Sequence, residues 1–137
     1  MISRKEKVFI DTSAIYALLN LKDENHKKAV NYYENLKKKN AIIITTNYII
    51  DETYTLLMIR KGQEFAVDFI DKLRITFNVF YVEKTDDDQA IEILKKYIDK
   101  NFSFTDAMSF HIMKRDKIKT AFAFDKHFIQ AGFKTLP

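Results

Sequence analysis

Val8-Phe9-Ile10-Asp11-Thr12-Ser13 is the stretch that decides the fold. Three consecutive large apolar residues predict a short strand that is buried on both faces, as strands in the middle of a parallel sheet are. Asp11 ends this run, and apolar residues then recur at helical spacing over 14–19. Ligands of open α/β sheets bind outside the carboxyl ends of the strands. Asp11 is therefore either a cation ligand at such an edge or only the N-cap of the helix that follows.

The rest of the chain alternates helical patterns with short apolar runs. Helices are predicted over 26–39, 48–61, 63–73, 85–99 and 107–114, and strands over 41–45, 77–82, 120–124 and 134–136. This alternation predicts an α/β fold with a largely parallel sheet that helices cover on both faces. No flexible linker or internal repeat interrupts the pattern, so we expect a single domain over residues 1–137.

Composition narrows the classes of protein that the chain can be. The 137 residues are 47% hydrophobic, enough for a full core, and they include no cysteine, which excludes disulfides and thiolate metal sites. No segment is long and apolar enough to span a membrane, and the charged residues 1–7 do not begin a secretory signal. We therefore expect a cytoplasmic protein. The net charge of +4 and the pI of about 9.1 are compatible with a polyanionic partner and equally with an ordinary lysine-rich surface.

Four acidic residues occupy comparable places in the predicted fold. Asp11 and Asp125 end strands, Asp106 opens a helix, and Glu52 shares a helix face with apolar residues. An acid on such a face must be paired, neutralised or bound to metal, because desolvating a lone charge is costly. Carboxylate oxygens suit the hard cations Mg²⁺ and Mn²⁺. One or two such ions can activate water and stabilise an in-line displacement at phosphorus.

Other kinds of site have less support in the sequence. The three aspartates at 86–88 are better explained as the first turn of a helix capped by Thr85 than as a metal site. The two glycines are isolated, so they form no phosphate-binding loop, and the three histidines lack zinc-site spacing. Ser13 and Ser109 lack the sequence context of a nucleophile elbow.

Four motifs resemble those of PIN-domain ribonucleases, in particular the small VapC-like toxins of toxin–antitoxin pairs. They are Phe9-Ile10-Asp11-Thr12-Ser13-Ala14, Thr45-Thr46-Asn47-Tyr48-Ile49-Ile50-Asp51-Glu52, Phe104-Thr105-Asp106-Ala107 and Ala123-Phe124-Asp125-Lys126-His127-Phe128. Each motif alone is weak, but their order along the chain and their places on the predicted elements are fairly specific. The resemblance covers nearly the whole chain and implies a three-layer α/β/α sandwich around a mainly parallel sheet.

The resemblance also implies a metal-dependent endoribonuclease that uses Mg²⁺ or Mn²⁺. The family's acidic quartet carries over, as catalytic residues and metal ligands, to Asp11, Glu52, Asp106 and Asp125. The family's supporting hydroxyl groups correspond to those of Thr12, Ser13 and Thr105. Many relatives carry a further acid shortly after the fourth; because Lys126 and His127 take those places here, we assign no fifth ligand.

The partners that the resemblance implies are an RNA substrate, a small antitoxin protein that reaches into the acidic groove, and a second copy of the chain in a homodimer. No membrane is involved. Several basic residues are either candidates for contacts with the RNA backbone or ordinary solvated side chains: Lys37, Lys38, Lys39, Lys114, Arg115, Lys117 and Lys119.

Two rival classes of protein need acids that this sequence lacks, and a third stays open. A phosphoacceptor receiver domain needs paired acids after its first strand, whereas Thr12 follows Asp11, and it needs an aspartate after its third strand, where residues 82–84 offer none. A haloacid-dehalogenase-type phosphatase needs an acid two residues after Asp11, where Ser13 stands. A PIN-like nuclease that processes RNA without being a toxin stays open. A short antitoxin-like reading frame beside the gene would favour the toxin.

Overall fold

The chain forms a five-stranded sheet flanked by seven helices in the computed structural model, which describes residues 5–137. The expected lack of a secretory signal rests partly on residues 1–4, which lie outside the described residues. The elements are β1 (Lys7–Ile10), α1 (Thr12–Leu19), α2 (His26–Lys38), β2 (Ile42–Thr46), α3 (Asn47–Lys61), α4 (Gln63–Thr76), β3 (Asn78–Phe80), α5 (Lys84–Lys96), α6 (Phe104–Arg115), β4 (Thr120–Phe122), α7 (His127–Gln130) and β5 (Lys134–Leu136).

The strand order is β3-β2-β1-β4-β5, and every neighbouring pair is parallel. The predicted three-layer α/β/α sandwich with a mainly parallel sheet is thereby confirmed. The chain adds β2 and β3 on one side of β1 and then crosses to add β4 and β5 on the other side. The order reverses beside β1, and a crevice for ligands forms at such a switch point, outside the carboxyl ends of the strands.

The core is built around β1. Val8, Phe9 and Ile10 have no solvent exposure, as expected for a strand with a partner on each side and helices on both faces. The Thr45 hydroxyl in β2 donates to the Ile10 carbonyl at 3.1 Å, so this buried polar group has a partner. None of the helices over residues 5–137 is both long and apolar enough to span a bilayer.

Two helices begin earlier than the sequence suggested. Helix α5 has Glu83 rather than Thr85 at its N-cap, because the Asp86 carboxylate accepts the Glu83 N–H at 2.9 Å. Helix α6 begins at Phe104 rather than at residue 107, since Ser103 caps it. In each helix the N-cap therefore lies three residues before an aspartate whose carboxylate accepts its N–H, the reciprocal arrangement of a capping box.

Replacing Phe128 with alanine should destabilise the fold by about 3–5 kcal/mol, the range for deleting a fully buried aromatic ring. The Phe128 ring is fully buried in α7, with its centroid 6.2 Å from that of Phe9 and 5.1 Å from that of Phe110. Urea unfolding measures the loss. The matched control is Ile129→Ala, because Ile129 is the next residue and is 61% exposed; equal losses for the two variants would contradict this packing.

Candidate active site

Asp11 stands directly after β1 and is 4% exposed. It is the N-cap of α1, and its Oδ2 accepts the Ser13 N–H at 3.3 Å and the Ser13 hydroxyl at 2.9 Å. The Ser13 oxygen in turn accepts the Phe124 N–H at 3.0 Å. The cap and the candidate ligand are therefore the same carboxylate, and Ser13 joins the end of β1 to the loop that follows β4.

The sequence predicted that Glu52 lies on the buried side of α3, but the structure does not place it there. The buried residues of this helix are Ile49, Ile50, Thr53 and Leu57, whereas Glu52 is exposed. That prediction failed because α3 carries apolar residues on several sides, so its apolar positions alone do not identify the inward face. Glu52 instead borders the crevice beside Asp11.

Asp106 combines a structural contact with a place in the site. Its Oδ2 accepts the Ser103 N–H at 3.1 Å, which completes the start of α6. The same oxygen lies 2.8 Å from Nδ1 of His127. Asp106 is therefore an N-terminal helix acid and at the same time a neighbour of the loop that carries Asp125.

Asp125 lies three residues beyond the end of β4, since this strand stops at Phe122 rather than at residue 124. Its Oδ1 accepts the backbone N–H of His127 at 2.9 Å and lies 3.5 Å from the ring Nδ1 of the same residue. One ligand atom from each of Asp106, Asp125 and His127 falls within 4.8 Å of the others. Sequence reasoning assigned no role to His127. The one available signal was its position shortly after the fourth acid, where the resemblance places a further acid in many relatives.

The electrostatics link all four predicted acids. Burial raises the pKa of Asp11 to about 7; hydrogen bonds from Ser13 oppose the rise, and the charges of Glu52 and Asp106 add to it. Partial burial of its carboxyl group also raises the pKa of Glu52, helped by the charges of Asp106 and Asp125. The charges of neighbouring acids thus add to the raised pKa values of Asp11 and Glu52, and a cation would stabilise such a set of like charges.

The three predicted hydroxyl groups lie among these acids. The Thr12 and Thr105 hydroxyls lie near the Glu52 carboxylate, where they lower its pKa and oppose the rise caused by burial. The Thr53 hydroxyl donates to that of Thr12 at 3.2 Å. With Ser13 on Asp11, these contacts bring the supporting residues and the acids to one place, as the motifs suggested.

The basic residues proposed for RNA contacts do not gather here. Lys117 and Lys119 line a cavity with Thr120 at the start of β4, and Lys39 pairs with Glu6 just before β1. In a parallel sheet the strand starts lie at the edge opposite the strand ends, so these lysines face away from the acids. Arg60 is the cationic side chain among the described residues that line the acidic groove, and sequence reasoning missed it.

Arg60 and Glu52 are on the same side of α3, eight residues apart, or about 12 Å along the axis. The Arg60 guanidinium lies 5.0 Å from the centroid of the Tyr16 ring, a cation–π contact that holds it over the groove. Both residues line the groove together with Asp11 and Asp125. Arg60 is a single cationic side chain beside a cluster of carboxylates. It therefore gives the groove one position at which binding of an anion is favourable.

The three aspartates at 86–88 are engaged elsewhere, as the sequence suggested for a helix start. Asp86 contacts His111 at 2.9 Å as well as the N-cap of α5, and Asp87 accepts the Tyr48 hydroxyl. Asp88 pairs with Lys84. Each of these three carboxylates therefore contacts another group within the protein, which explains its position without a metal ion.

Comparison with known proteins agrees with this geometry. The family model described as the PIN domain matches residues 8–134. The 23S rRNA-specific endonuclease VapC20 of Mycobacterium tuberculosis is 35% identical over 127 residues, which cover 92% of this chain and 95% of that protein. A VapC ribonuclease of Archaeoglobus fulgidus is 31% identical over 80% of this chain and 72% of its own length.

A solved structure gives the same result. The crystal structure of Mycobacterium tuberculosis VapC20, described as a Sarcin-Ricin loop cleaving toxin, superposes with a TM-score of 0.83 at 34% identity, covering 92% of this chain and 95% of that one. The chain belongs to the PIN-domain family. Within that family its similarity is to VapC ribonucleases.

Replacing Asp11 with asparagine should flatten the pH dependence of stability in metal-free protein. Between the ordinary pKa of 3.8 and the folded pKa of about 7, the folded wild-type protein binds more protons than the unfolded chain, so its stability falls as pH rises. At about 1.36 kcal/mol per pKa unit, Asp11 accounts for a loss of about 4 kcal/mol by pH 8. Urea unfolding in EDTA from pH 4 to pH 8 measures this slope.

The control for this measurement is Asp88→Asn. Asp88 is an exposed carboxylate paired with Lys84, so its variant should keep the slope of the wild type. Parallel curves for the wild type and Asp11→Asn would contradict a charge-strained Asp11.

Proposed function

We propose that the chain is a single PIN-like nuclease domain, a metal-dependent endoribonuclease that hydrolyses RNA phosphodiester bonds. The observation that carries this is the meeting of four carboxylates at the switch point of the sheet, where burial and the neighbouring charges raise the pKa values of Asp11 and Glu52. The similarity to VapC20, whose name describes a 23S rRNA-specific endonuclease, supports RNA as the substrate.

The donor atoms fit a hard divalent cation. Asp11, Glu52, Asp106 and Asp125 offer oxygen ligands, and the buried charge of Asp11 lacks a cationic side chain among the groups that shift its pKa. Mg²⁺ or Mn²⁺ matches such a set. When bound, the ion activates water and stabilises charge at phosphorus, so the 2′-hydroxyl of the RNA is not the nucleophile.

The chain's own residues would hold this arrangement in place. Ser13 fixes the Asp11 carboxylate by two hydrogen bonds, and the backbone N–H of Ser103 fixes that of Asp106. The hydroxyls of Thr12 and Thr105, which lie near Glu52, would help to orient its carboxylate. Arg60, held against Tyr16, would bind a phosphate of the RNA next to the cleaved bond and so compensate for the negative charge of the groove.

The proposal extends to partners. The relatives are VapC proteins and one of them is described as a toxin, which supports a toxin of a toxin–antitoxin pair with a small antitoxin that silences it. Ile59 exposes apolar surface on α3 next to Glu52, suitable for an antitoxin or for the second copy in a homodimer. Because the substrate is cellular RNA, the protein would act in the cytoplasm.

Asp11→Asn should abolish RNA cleavage, by at least a hundredfold, while circular dichroism shows an intact fold. The substitution removes a charged ligand but keeps the shape of the side chain and its ability to accept from Ser13. The control, Asp88→Asn, should cleave like the wild type. Equal activity of the two variants would show that these four acids are the wrong choice.

The products should carry 5′-phosphate and 3′-hydroxyl ends, because activated water rather than the ribose attacks phosphorus. End-labelling of the fragments and mass spectrometry distinguish these ends from 2′,3′-cyclic phosphates. Cyclic phosphates, or full activity in excess EDTA, would rule out the proposed mechanism.

Arg60→Ala should raise KM for RNA about tenfold and leave kcat within a few fold, since Arg60 would bind a phosphate without contacting the reacting atoms. Steady-state cleavage at two salt concentrations measures both constants, and the salt dependence of KM should become weaker in the variant. Arg74→Ala is the control, because Arg74 is an exposed arginine on α4 that contacts Asp71 and Tyr81. A fall in kcat with unchanged KM would contradict this role.

A further inference from the structure

His127 is placed where a further ligand of the same cation would stand. Its Nδ1 lies 2.8 Å from Oδ2 of Asp106 and 3.5 Å from Oδ1 of Asp125. In an octahedral site with ligands at about 2.1 Å, adjacent ligand atoms are about 3 Å apart. The two distances from His127 are therefore close to those between neighbouring ligands around one ion, and one ligand atom from each of the three residues lies within 4.8 Å of the others.

The ring is held in this position by contacts on three sides. The backbone N–H of His127 donates to Asp125, and the ring lies edge-on to that of Phe102, with centroids 5.5 Å apart. The next residue, Phe128, is fully buried and fixes α7 to the core. A side chain with these restraints loses little conformational freedom when it binds an ion.

The protonation of the ring is compatible with coordination. Asp106 as a carboxylate can only accept, so in the metal-free protein Nδ1 carries the hydrogen and donates it. A ring that held the cation through Nδ1 would remain neutral and carry its proton on Nε2. His127, Asp106 and Asp125 would then each offer one donor atom to the ion.

We propose, on the basis of the function proposed above, that His127 is a nitrogen ligand of the active-site cation and biases the site toward Mn²⁺ over Mg²⁺. Imidazole nitrogen suits transition metals, whereas Mg²⁺ prefers oxygen ligands and water. A set of carboxylates with one imidazole therefore discriminates between the two ions more than carboxylates alone. The competing explanation is that His127 is a positioning residue that only orients Asp106 by a hydrogen bond.

Pulsed EPR of the Mn²⁺-loaded protein separates the two roles, because a directly bound imidazole nitrogen produces ¹⁴N modulation of the electron spin echo. We expect this modulation in the wild type, its loss in His127→Gln, and its retention in His111→Gln. His111 is a matched control, since it also contacts an aspartate, Asp86, but away from the acids of the site.

Binding affinities give a second readout. Titration calorimetry of Mn²⁺ and of Mg²⁺ should show that the ratio of the two affinities falls at least tenfold in His127→Gln. His127→Asp places an oxygen at the same position and should move the preference toward Mg²⁺, so it tests the idea even if the glutamine variant folds poorly.

Mn²⁺ that binds in an Asp11-dependent manner without nitrogen modulation, or an affinity ratio unchanged in both variants, would overturn the assignment of His127 and leave the nuclease function intact. If Mn²⁺ does not bind and no divalent ion supports RNA cleavage, the proposed function fails as well.

Discussion

The confinement of negative charge at the end of one buried strand is the constraint on which the rest of the site depends. Strand β1 has no exposed residue between Val8 and Ile10, and the next side chain is a carboxylate that is 4% exposed. Desolvation at this position opposes ionisation, and the neighbouring acids strengthen the effect. The fold therefore keeps an electrostatic strain that a bound cation would relieve, and the strain is located where the strand order places a ligand crevice.

Hydroxyl groups connect the parts of the site that come from distant segments. Ser13 donates to Asp11 and accepts from the backbone of Phe124, so it connects the end of β1 with the loop after β4. That loop carries Asp125 and leads into α7, whose first residue, His127, contacts Asp106 in the first turn of α6. A chain of short contacts thus joins α1, α6 and α7.

The sequence predicted the parts of this arrangement that are local. The strand at 8–10 and the parallel sheet follow from apolar runs alternating with helical patterns, and the structure confirms them. The position of Asp11 follows from the end of the strand. The sequence did not predict the helix caps correctly, because whether Glu83 or Thr85 caps α5 depends on one hydrogen bond, which the Glu83 N–H donates to the Asp86 carboxylate.

The sequence pattern did not predict the features that depend on packing or on contacts between distant segments. The face of α3 that carries Glu52 is decided by packing, since this helix is apolar on several sides. The meeting of His127 with Asp106 joins residues 21 apart in sequence through two helix starts, which no periodicity encodes. The lysines at 37–39, 117 and 119 are a different case, because turns that lead into parallel strands must lie opposite the strand ends, and that signal was available in the sequence.

In the proposed function, the carboxylates at the end of β1 and after β4 together form one cation site. Anomalous diffraction from crystals soaked in Mn²⁺ tests it most directly, because the ion's own signal locates it without reference to activity. If these carboxylates form one site, we expect an anomalous peak within coordination distance of Asp11 and of at least one of Asp106 and Asp125. A protein that takes up Mn²⁺ only elsewhere, such as at the aspartates of 86–88, or that shows no peak at saturating ion, would contradict it.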